Sequence, residues 1–458
     1  MQLGYGRIVR QPRKSDLLLR SAPFVGSMLL ELIKPSKIIT TDGAMNPFQV
    51  WVGKMGATKT NLGKKEIKQQ IDAGLGGMLI DGKAGEGSLE EFTVRYLAEQ
   101  GWPPDKVFIN DHFSPWGHPL QDYLYDNKKD YISWFQIVEE LTSATVQMSL
   151  VRSAPGPVQA SVSRMSFASL MLANNPLADI TRFLTDQGFR ANVVKKAKLV
   201  ELENFWLGEH PYYKTLQKDA LESTRNKWDN LTLHPAIKPC ISFRDTLGEF
   251  AQLSDFMARG GWWIQPLSEN KYKTELRLTL AQLSQYQLKV AVLQREEAAE
   301  KPFWAVWMDE YPQYRSPITH NDTLRLARSQ NIGLIFLCQD TGIFNDAEIR
   351  ALAGAATWGT FACERSSAED VVRQIFRPRG LSSKDWEGKT TYSVRDEIDN
   401  LIALAMEQER GEALVRIDPK PETYFLEVEK VPDPDPRFER PFREAVAKRW
   451  YKPFRTRD

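Results

Sequence analysis

Short apolar runs alternate with amphipathic stretches in two parts of the chain. The runs predict strands at 48–52, 77–81, 106–110, 262–267, 303–308, 333–338, 358–362, 412–417 and 423–428. The amphipathic stretches predict helices at 60–73, 89–100, 275–294, 324–331 and 368–376. Strands alternating with helices are typical of an α/β fold, and they predict a mostly parallel, doubly wound sheet flanked by helices.

Between these two parts the pattern contains helix signals and almost no strand signals. Helices are predicted at 132–150, 161–173, 178–184, 191–206 and 214–231. We therefore predict an all-α domain at 125–239, inserted into a sheet domain that spans 36–124 and 240–431. Residues 1–35 form a basic and amphipathic segment, and residues 432–458 a basic tail that follows a Pro-Asp repeat unsuited to helix or central strand.

The basic tail combines arginines and lysines with aromatic residues. Such a segment can grip phosphates and stack on bases, or it can pack against the rest of the protein or a partner; packing is the preferred interpretation.

Composition narrows the class of protein only slightly. The chain has 458 residues, 42% of them hydrophobic, and a net charge of +1, which is typical of a globular protein with two or three domains. The three widely spaced cysteines do not form a disulfide or zinc pattern, so a reducing compartment is predicted. No stretch reaches the ~20 apolar residues of a membrane span. The nearest, residues 17–33, is interrupted by charged residues and proline.

A glycine-containing loop follows the first predicted strand, in the segment VWVGKMGATKTNL at 50–62. A phosphate-binding Walker A loop (GxxxxGK[ST]) needs backbone N–H groups around the phosphates, a lysine to neutralise them and a hydroxyl for Mg²⁺. Threonine replaces the last glycine of the motif, which makes the loop degenerate; its N–H stays available to phosphate if its φ is negative. By itself such a loop is also typical of a plain turn. The candidate nucleotide-binding residues are Gly53, Gly56, Thr58, Lys59, Thr60 and Asn61.

A second candidate motif is the apolar strand FWAVWMDEY at 303–311, which ends in two carboxylates. In a Walker B motif the first, here Asp309, serves Mg²⁺ together with Thr60, and the second, here Glu310, is the general base for the attacking water. The alternative is an acidic end cap. Because ligands bind at the carboxyl ends of parallel strands, we predict a catalytic pair.

A third motif, GLIFLCQD at 333–340, places Gln339 at the end of another apolar strand, with Arg328 eleven residues before it. The amide can contact the terminal phosphate or its attacking water. The arginine can act as an arginine finger, contacting the nucleotide bound to a neighbouring subunit. Each residue alone is weak evidence. The order of Walker A, Walker B, arginine and glutamine is stronger.

Taken together, these motifs resemble the TraG/TraD-type coupling proteins of the HerA/FtsK superfamily. GGMLIDGKAGEG at 76–87 is similar to the family's second-strand motif, with Asp81 and Lys83 matching and Gly82 in place of proline. The resemblance covers most of residues 38–431 and implies a RecA-like P-loop NTPase that binds ATP and Mg²⁺. It also implies a homo-hexamer that moves DNA and delivers DNA, or a relaxase–DNA complex, to a type IV secretion channel. The implied location is cytoplasmic or peripheral at the inner face of the membrane, through a membrane partner.

Three alternatives stay open. The same fold serves HerA-like DNA-processing motors in repair or phage defence, and secretion-channel assembly ATPases. A loop altered at Thr58 also fits a ring-forming adaptor that binds nucleotide and turns it over weakly.

Overall fold

A computed structural model describes residues 48–56, 58–110, 157–173, 175–209, 211–215, 219–234, 238, 251–268, 274–295, 301–311, 327, 329–341, 357–374, 383–384, 390–392, 394–417, 423–428 and 430–450. The N-terminal segment 1–35, the predicted helix 132–150 and Arg328 lie outside the described residues. The chain forms two compact units. The first comprises residues 1–102, 301–317 and 323–440, and the second comprises residues 103–300, 318–322 and 441–458.

The strands are β1 (Gln49–Val52), β2 (Gly77–Asp81), β3 (Val107–Ile109), β4 (Trp262–Pro266), β5 (Trp304–Asp309), β6 (Ile332–Cys338), β7 (Thr357–Thr360), β8 (Ser383–Lys384), β9 (Thr390–Tyr392), β10 (Glu412–Ile417) and β11 (Thr423–Glu427). The helices are α1 (Lys59–Asp72), α2 (Leu89–Glu99), α3 (Pro157–Leu172), α4 (Ile180–Thr185), α5 (Gln187–Ala197), α6 (Val200–Trp206), α7 (Asp219–Thr232), α8 (Leu253–Arg259), α9 (Thr274–Gln294), α10 (Arg365–Gln374), α11 (Val394–Met406) and α12 (Glu439–Trp450).

The first unit is built on a mixed sheet with the strand order β11-β10-β7-β1-β6-β5-β2. The five strands from β7 to β2 are parallel, whereas β10 and β11 are antiparallel. Every residue of β1, β2, β5 and β6 is buried, as expected for parallel strands that are covered on both faces. The mostly parallel sheet flanked by helices that the sequence predicts is confirmed.

The core of this unit is rich in tryptophan, and one glycine makes room for it. Trp51 on β1 is fully buried, and its Nε1 donates to Oε1 of Gln49 at 2.8 Å. A Cβ atom on Gly359 of β7 would lie 2.0 Å from the Trp51 ring, so glycine is required at this position. The predictions that Trp304 and Trp307 belong to the core are confirmed.

The second unit contains the parallel pair β3 and β4, with Val107 opposite Trp262. Trp263 packs against Phe108 with ring centroids 4.3 Å apart, and both rings are buried, which confirms the core placement of Trp262 and Trp263. The described residues from 157 to 232 form helices and 3₁₀ turns. Their core contains edge-to-face ring pairs such as Phe183 and Trp206, whose centroids are 5.1 Å apart.

Two predicted boundaries differ from the structure. The single helix predicted at 191–206 is two helices, α5 and α6, because Lys198 between them has a left-handed backbone with φ of 53°. Packing also continues past the boundary predicted at residue 431. Asp433 pairs with Lys64 of α1 at 2.7 Å, and α12 buries Phe442, Val446 and Trp450 at four-residue spacing. Phe442 and Trp450 of the predicted basic tail therefore belong to a packing face, whereas Phe438 is exposed.

Within the described residues, no helix has the length and apolar content needed to cross a bilayer. Cys338 and Cys363 are buried free thiols, and Cys240 lies outside the described residues.

Candidate functional site

The loop after β1 is tied by its backbone to two neighbouring strand ends. The N–H of Gly53 donates to the carbonyl of Cys338 at 3.1 Å, and the N–H of Lys54 donates to the carbonyl of Ala362 at 2.8 Å. Gly56 has φ of 79° and an open surrounding, so the turn uses the freedom of glycine here. The loop leads directly into α1, as a phosphate-binding loop does.

Thr58 adopts a backbone conformation that glycine would normally provide. Its φ is 79° and its ψ is 9°, so the negative φ that would keep its N–H available to phosphate is not adopted. A β-branched residue in this left-handed region costs on the order of 1–2 kcal/mol. Its Oγ1 is also buried without a hydrogen-bond partner. The chain therefore keeps a glycine-like backbone shape at this position, with strain and a buried hydroxyl added.

Lys59 is the first residue of α1, and its side chain folds back over the loop. Its Nζ donates to the carbonyls of Gly53 and of Lys54, the latter at 3.2 Å. Burial lowers the pKa of this ammonium, while the nearby charge of Glu310 raises it. A buried ammonium that donates to neutral carbonyls favours an anion beside it.

Thr60 and Asn61 occupy the first turn of α1 and are half-buried. The N–H of Asn61 donates to the carbonyl of Thr58 at 3.0 Å, which begins the helix. Their side chains thus stand at the positive end of the helix dipole, beside the loop.

Asp309 and Glu310 lie at the end of β5, and both are buried. Burial, followed by the charges of Asp81 and Glu310, raises the pKa of Asp309 to about 8. Glu310 has φ of 56°, a second left-handed residue that is not glycine. Crowded carboxylates of this kind attract cations, and strained backbone is often found at functional sites.

Two further residues, at the end of β2 and just after it, complete this cluster, and the motif at 76–87 contains both without indicating their roles. Asp81 is fully buried opposite Asp309, and its carboxylate accepts from the N–H of Lys83 at 2.8 Å and of Glu90 at 2.7 Å. The Nζ of Lys83 forms an ion pair with Oε1 of Glu310. The sequence does contain one indication of this cluster: charged residues follow the apolar runs of both β2 and β5. The ends of neighbouring parallel strands meet at one edge of the sheet, so these residues come together.

Gln339 follows β6 and is half-exposed; Cys338 before it is in register with Val52 of β1. Two residues on, the N–H of Thr341 donates to Ser367 Oγ at 3.0 Å and its hydroxyl donates to Asp370 at 2.9 Å, both on α10. The ends of β1, β6, β5 and β2 are consecutive in the sheet, so the structure brings the Gly53–Thr60 loop, Gln339 and Asp309-Glu310 to one edge. Arg328 lies outside the described residues.

A magnesium ion fits this edge only as a partly protein-bound ion. Within the residues that the structure describes, no group of three or more His, Cys, Asp or Glu side chains could hold a metal. Mg²⁺ is commonly bound through one or two protein oxygens together with substrate phosphates and water. The Thr60 hydroxyl and the Asp309 carboxylate are oxygen ligands of the required kind.

Solved structures with this fold include a bacterial conjugative coupling protein, TrwBdeltaN70, in an unbound form. It has a TM-score of 0.61 and 12% identity, and the match covers 86% of this chain and 88% of that one. The plasmid coupling protein TrwB in complex with ADP and Mg²⁺ gives a TM-score of 0.58 at 13% identity, with 95% and 97% covered. VirB4 of Thermoanaerobacter pseudethanolicus gives 0.52 at 12% identity, with 86% and 94% covered.

The searches by sequence give a different result. No family model matches the chain, and no curated protein sequence matches it. The RecA-like P-loop fold that the motifs imply is confirmed by the structural similarity, which at these identities shows the fold alone.

Proposed function

We propose that this protein is an ATP-hydrolysing motor of a type IV secretion or conjugation machine, and that it translocates DNA as a coupling protein. One observation carries the proposal: the Lys59 loop, the Asp309-Glu310 pair and Gln339 lie at the ends of adjacent strands, at one edge of the sheet. Solved structures of the same fold include a coupling protein bound to ADP and Mg²⁺ and one bound to a non-hydrolysable ATP analogue.

Each residue has a role in hydrolysis that follows from its chemistry. Lys59 and the backbone of the loop hold the β- and γ-phosphates and offset their charge. Glu310 accepts a proton from water as the water oxygen attacks the γ-phosphorus, and the bond to the β-phosphate oxygen breaks to release ADP. Gln339 orients the attacking water. The Thr60 hydroxyl and the Asp309 carboxylate would hold Mg²⁺, which would supply positive charge against the phosphates.

Other parts of the proposal concern the assembly. A homo-hexamer would place Arg328 of one subunit at the nucleotide of the next, where a guanidinium offsets charge on the transferred phosphoryl group. DNA, a relaxase and channel proteins are the proposed partners. The proposed location is cytoplasmic or at the inner face of the membrane, by docking on a membrane partner.

The test is ATP turnover of the purified chain, titrated with single-stranded and with double-stranded DNA. Wild-type protein should hydrolyse ATP faster with one of the two, and Lys59→Ala should abolish turnover in both. Lys68→Met is a matched control, because Lys68 lies on the same helix but pairs with Asp72 at 2.7 Å, and it should keep the wild-type rate. If the Lys59→Ala variant still hydrolyses ATP, the assignment of the nucleotide site is wrong.

Sizing of the chain with and without nucleotide tests the ring separately. A hexamer that forms with ATP supports the motor; a monomer under all conditions contradicts the arginine-finger arrangement.

Two further candidates have an observation behind them. The similarity to VirB4 keeps the secretion-channel assembly ATPase as a candidate, and ATP turnover insensitive to DNA would support it. The strained Thr58 favours a nucleotide-binding adaptor, which would bind ATP without hydrolysing it at a useful rate.

A further inference from the structure

Lys83 and Glu310 form an ion pair whose two partners differ in exposure. The Glu310 side chain is 3% exposed, whereas that of Lys83 is 36% exposed. The ammonium therefore covers the carboxylate from the more open side. A carboxylate that already accepts from an ammonium has one oxygen less to offer to a water molecule.

The backbone of Lys83 is fixed, although its side chain reaches outward. Its N–H is held by Asp81, which also holds the start of α2 through the N–H of Glu90. Ser88 caps the same helix by accepting from the N–H of Glu91 at 3.2 Å. The loop from β2 to α2 is thus anchored at both ends, so the Lys83 ammonium can change partner by side-chain rotation alone.

The alternative partner lies close by. Lys59 reaches over the loop that follows β1, and Lys83 follows β2 and pairs with Glu310 after β5, so all three side chains belong to the same region at the carboxyl edge of the sheet. In the proposed function this region receives the terminal phosphate of ATP. A triphosphate brings more negative charge than the Glu310 carboxylate and offers several acceptor oxygens.

We infer that Lys83 is a sensor of the terminal phosphate: it pairs with Glu310 when that phosphate is absent and transfers to it when ATP binds. The transfer frees Glu310 to act on water only while a hydrolysable phosphate is in place. This inference rests on the proposed nucleotide site. It predicts that Lys83 favours ATP over ADP, since ADP lacks the group that draws the ammonium away.

The experiment compares the affinities of the full chain for ADP and for a non-hydrolysable ATP analogue, with Mg²⁺, by calorimetry. Lys83→Met should lower the preference for the analogue about tenfold, the size of one charge-assisted hydrogen bond, and leave the affinity for ADP unchanged. Lys83→Arg should retain most of the preference. Lys68→Met, which removes a lysine charge elsewhere on the unit, should retain all of it.

The decisive arm uses Glu310→Gln as the background, where residue 310 carries no charge for Lys83 to neutralise. If Lys83 contacts the phosphate, Lys83→Met still lowers the preference for the ATP analogue about tenfold in this background. If Lys83 acts only by shielding the phosphate from Glu310, the preference does not change, and the inference is overturned. Unchanged ADP affinity shows that the variants are folded. A wild-type chain that binds neither nucleotide would instead refute the proposed function.

Discussion

The carboxyl edge of the sheet and the helical region from 157 to 232 bury charge in opposite ways. At the edge, Asp81, Asp309 and Glu310 are buried beside one another, and Thr58 and Glu310 have left-handed backbones. In the helical region, the buried Arg190 donates to the carbonyls of Phe183 and Leu184, each at 3.1 Å, and stacks over the Trp206 ring.

This difference indicates what each region is built for. A buried cation with carbonyl and aromatic partners stabilises a fold, and removing it weakens packing. Carboxylates gathered in one place, on strained backbone, destabilise the isolated protein and are retained where a ligand compensates them. Substitutions at the edge should therefore reduce function strongly and stability little. Substitutions in the core of the helical region should reduce stability strongly.

The largest effect that we expect is on catalysis. Glu310→Gln keeps the size of the side chain but removes the general base, so the kcat for ATP should fall about 10²–10⁴-fold. Thermal unfolding should change little, because relief of the crowding among the carboxylates offsets the loss of the ion pair with Lys83. Glu427→Gln, at an exposed position on β11, is the control and should keep full turnover. A Glu310→Gln variant with normal turnover would contradict the role of the edge.

The reverse behaviour is expected of Trp206→Ala. This ring is 2% exposed and packs against Phe183, Phe205 and Tyr213, so its loss should reduce the free energy of unfolding by about 3–5 kcal/mol. Chemical denaturation followed by fluorescence measures it. Tyr212→Ala, at a side chain 56% exposed, should cost less than about 1 kcal/mol. Equal losses for the two variants would show that the aromatic core is not what holds this region.

A pH-dependent effect should separate the two regions further. Burial raises the pKa of Glu66 on α1 from 4.5 to about 8, against a smaller opposing effect of Gln49. Between these values the folded chain holds a proton that the unfolded chain has released, so stability should fall as pH rises. Glu66→Gln should flatten this decline and so raise stability relative to wild type above pH 8. If the free energy of unfolding of wild type and of Glu66→Gln depends on pH in the same way from pH 5 to 9, this prediction is refuted.

The smallest expected effect tests the strain at Thr58. Thr58→Gly should relieve the left-handed strain and the buried hydroxyl, with a net gain of about 0.5–1 kcal/mol after the added flexibility of the unfolded chain. It should also raise ATP turnover if the threonine limits the loop. Thr185→Gly, in a helix, should be destabilising and provides the contrast. A loss of stability in Thr58→Gly would mean that the threonine is favourable there.

The sequence predicted the sheet because buried parallel strands have the plainest signal. The runs at 77–81 and 333–338 are almost wholly apolar, and charged or polar residues follow them directly. Their meeting at one edge then follows from parallel pairing, which is why the Walker motifs could be placed. The nucleotide and metal roles of these residues stay predictions.

Other features depended on contacts that a local pattern does not contain. The break at Lys198 arises from a left-handed lysine, which composition alone does not reveal. The positive φ of Thr58 is imposed by the loop geometry around it. The pairing of Lys83 with Glu310 joins residues far apart in sequence, and only the neighbouring positions of β2 and β5 bring them together. Helix α11 was missed although Ile402 and Ala405 give it an apolar face.

The position of β1 has a consequence for how the protein is made. Its hydrogen-bonding neighbours are β6 and β7, which are encoded far downstream, so a ribosome releases the apolar segment Gln49–Val52 long before either partner exists. Such late, non-local pairing slows folding and leaves an aggregation-prone strand exposed during synthesis. The nascent chain must therefore shelter this segment, or rely on a chaperone, until residues 357–360 have emerged.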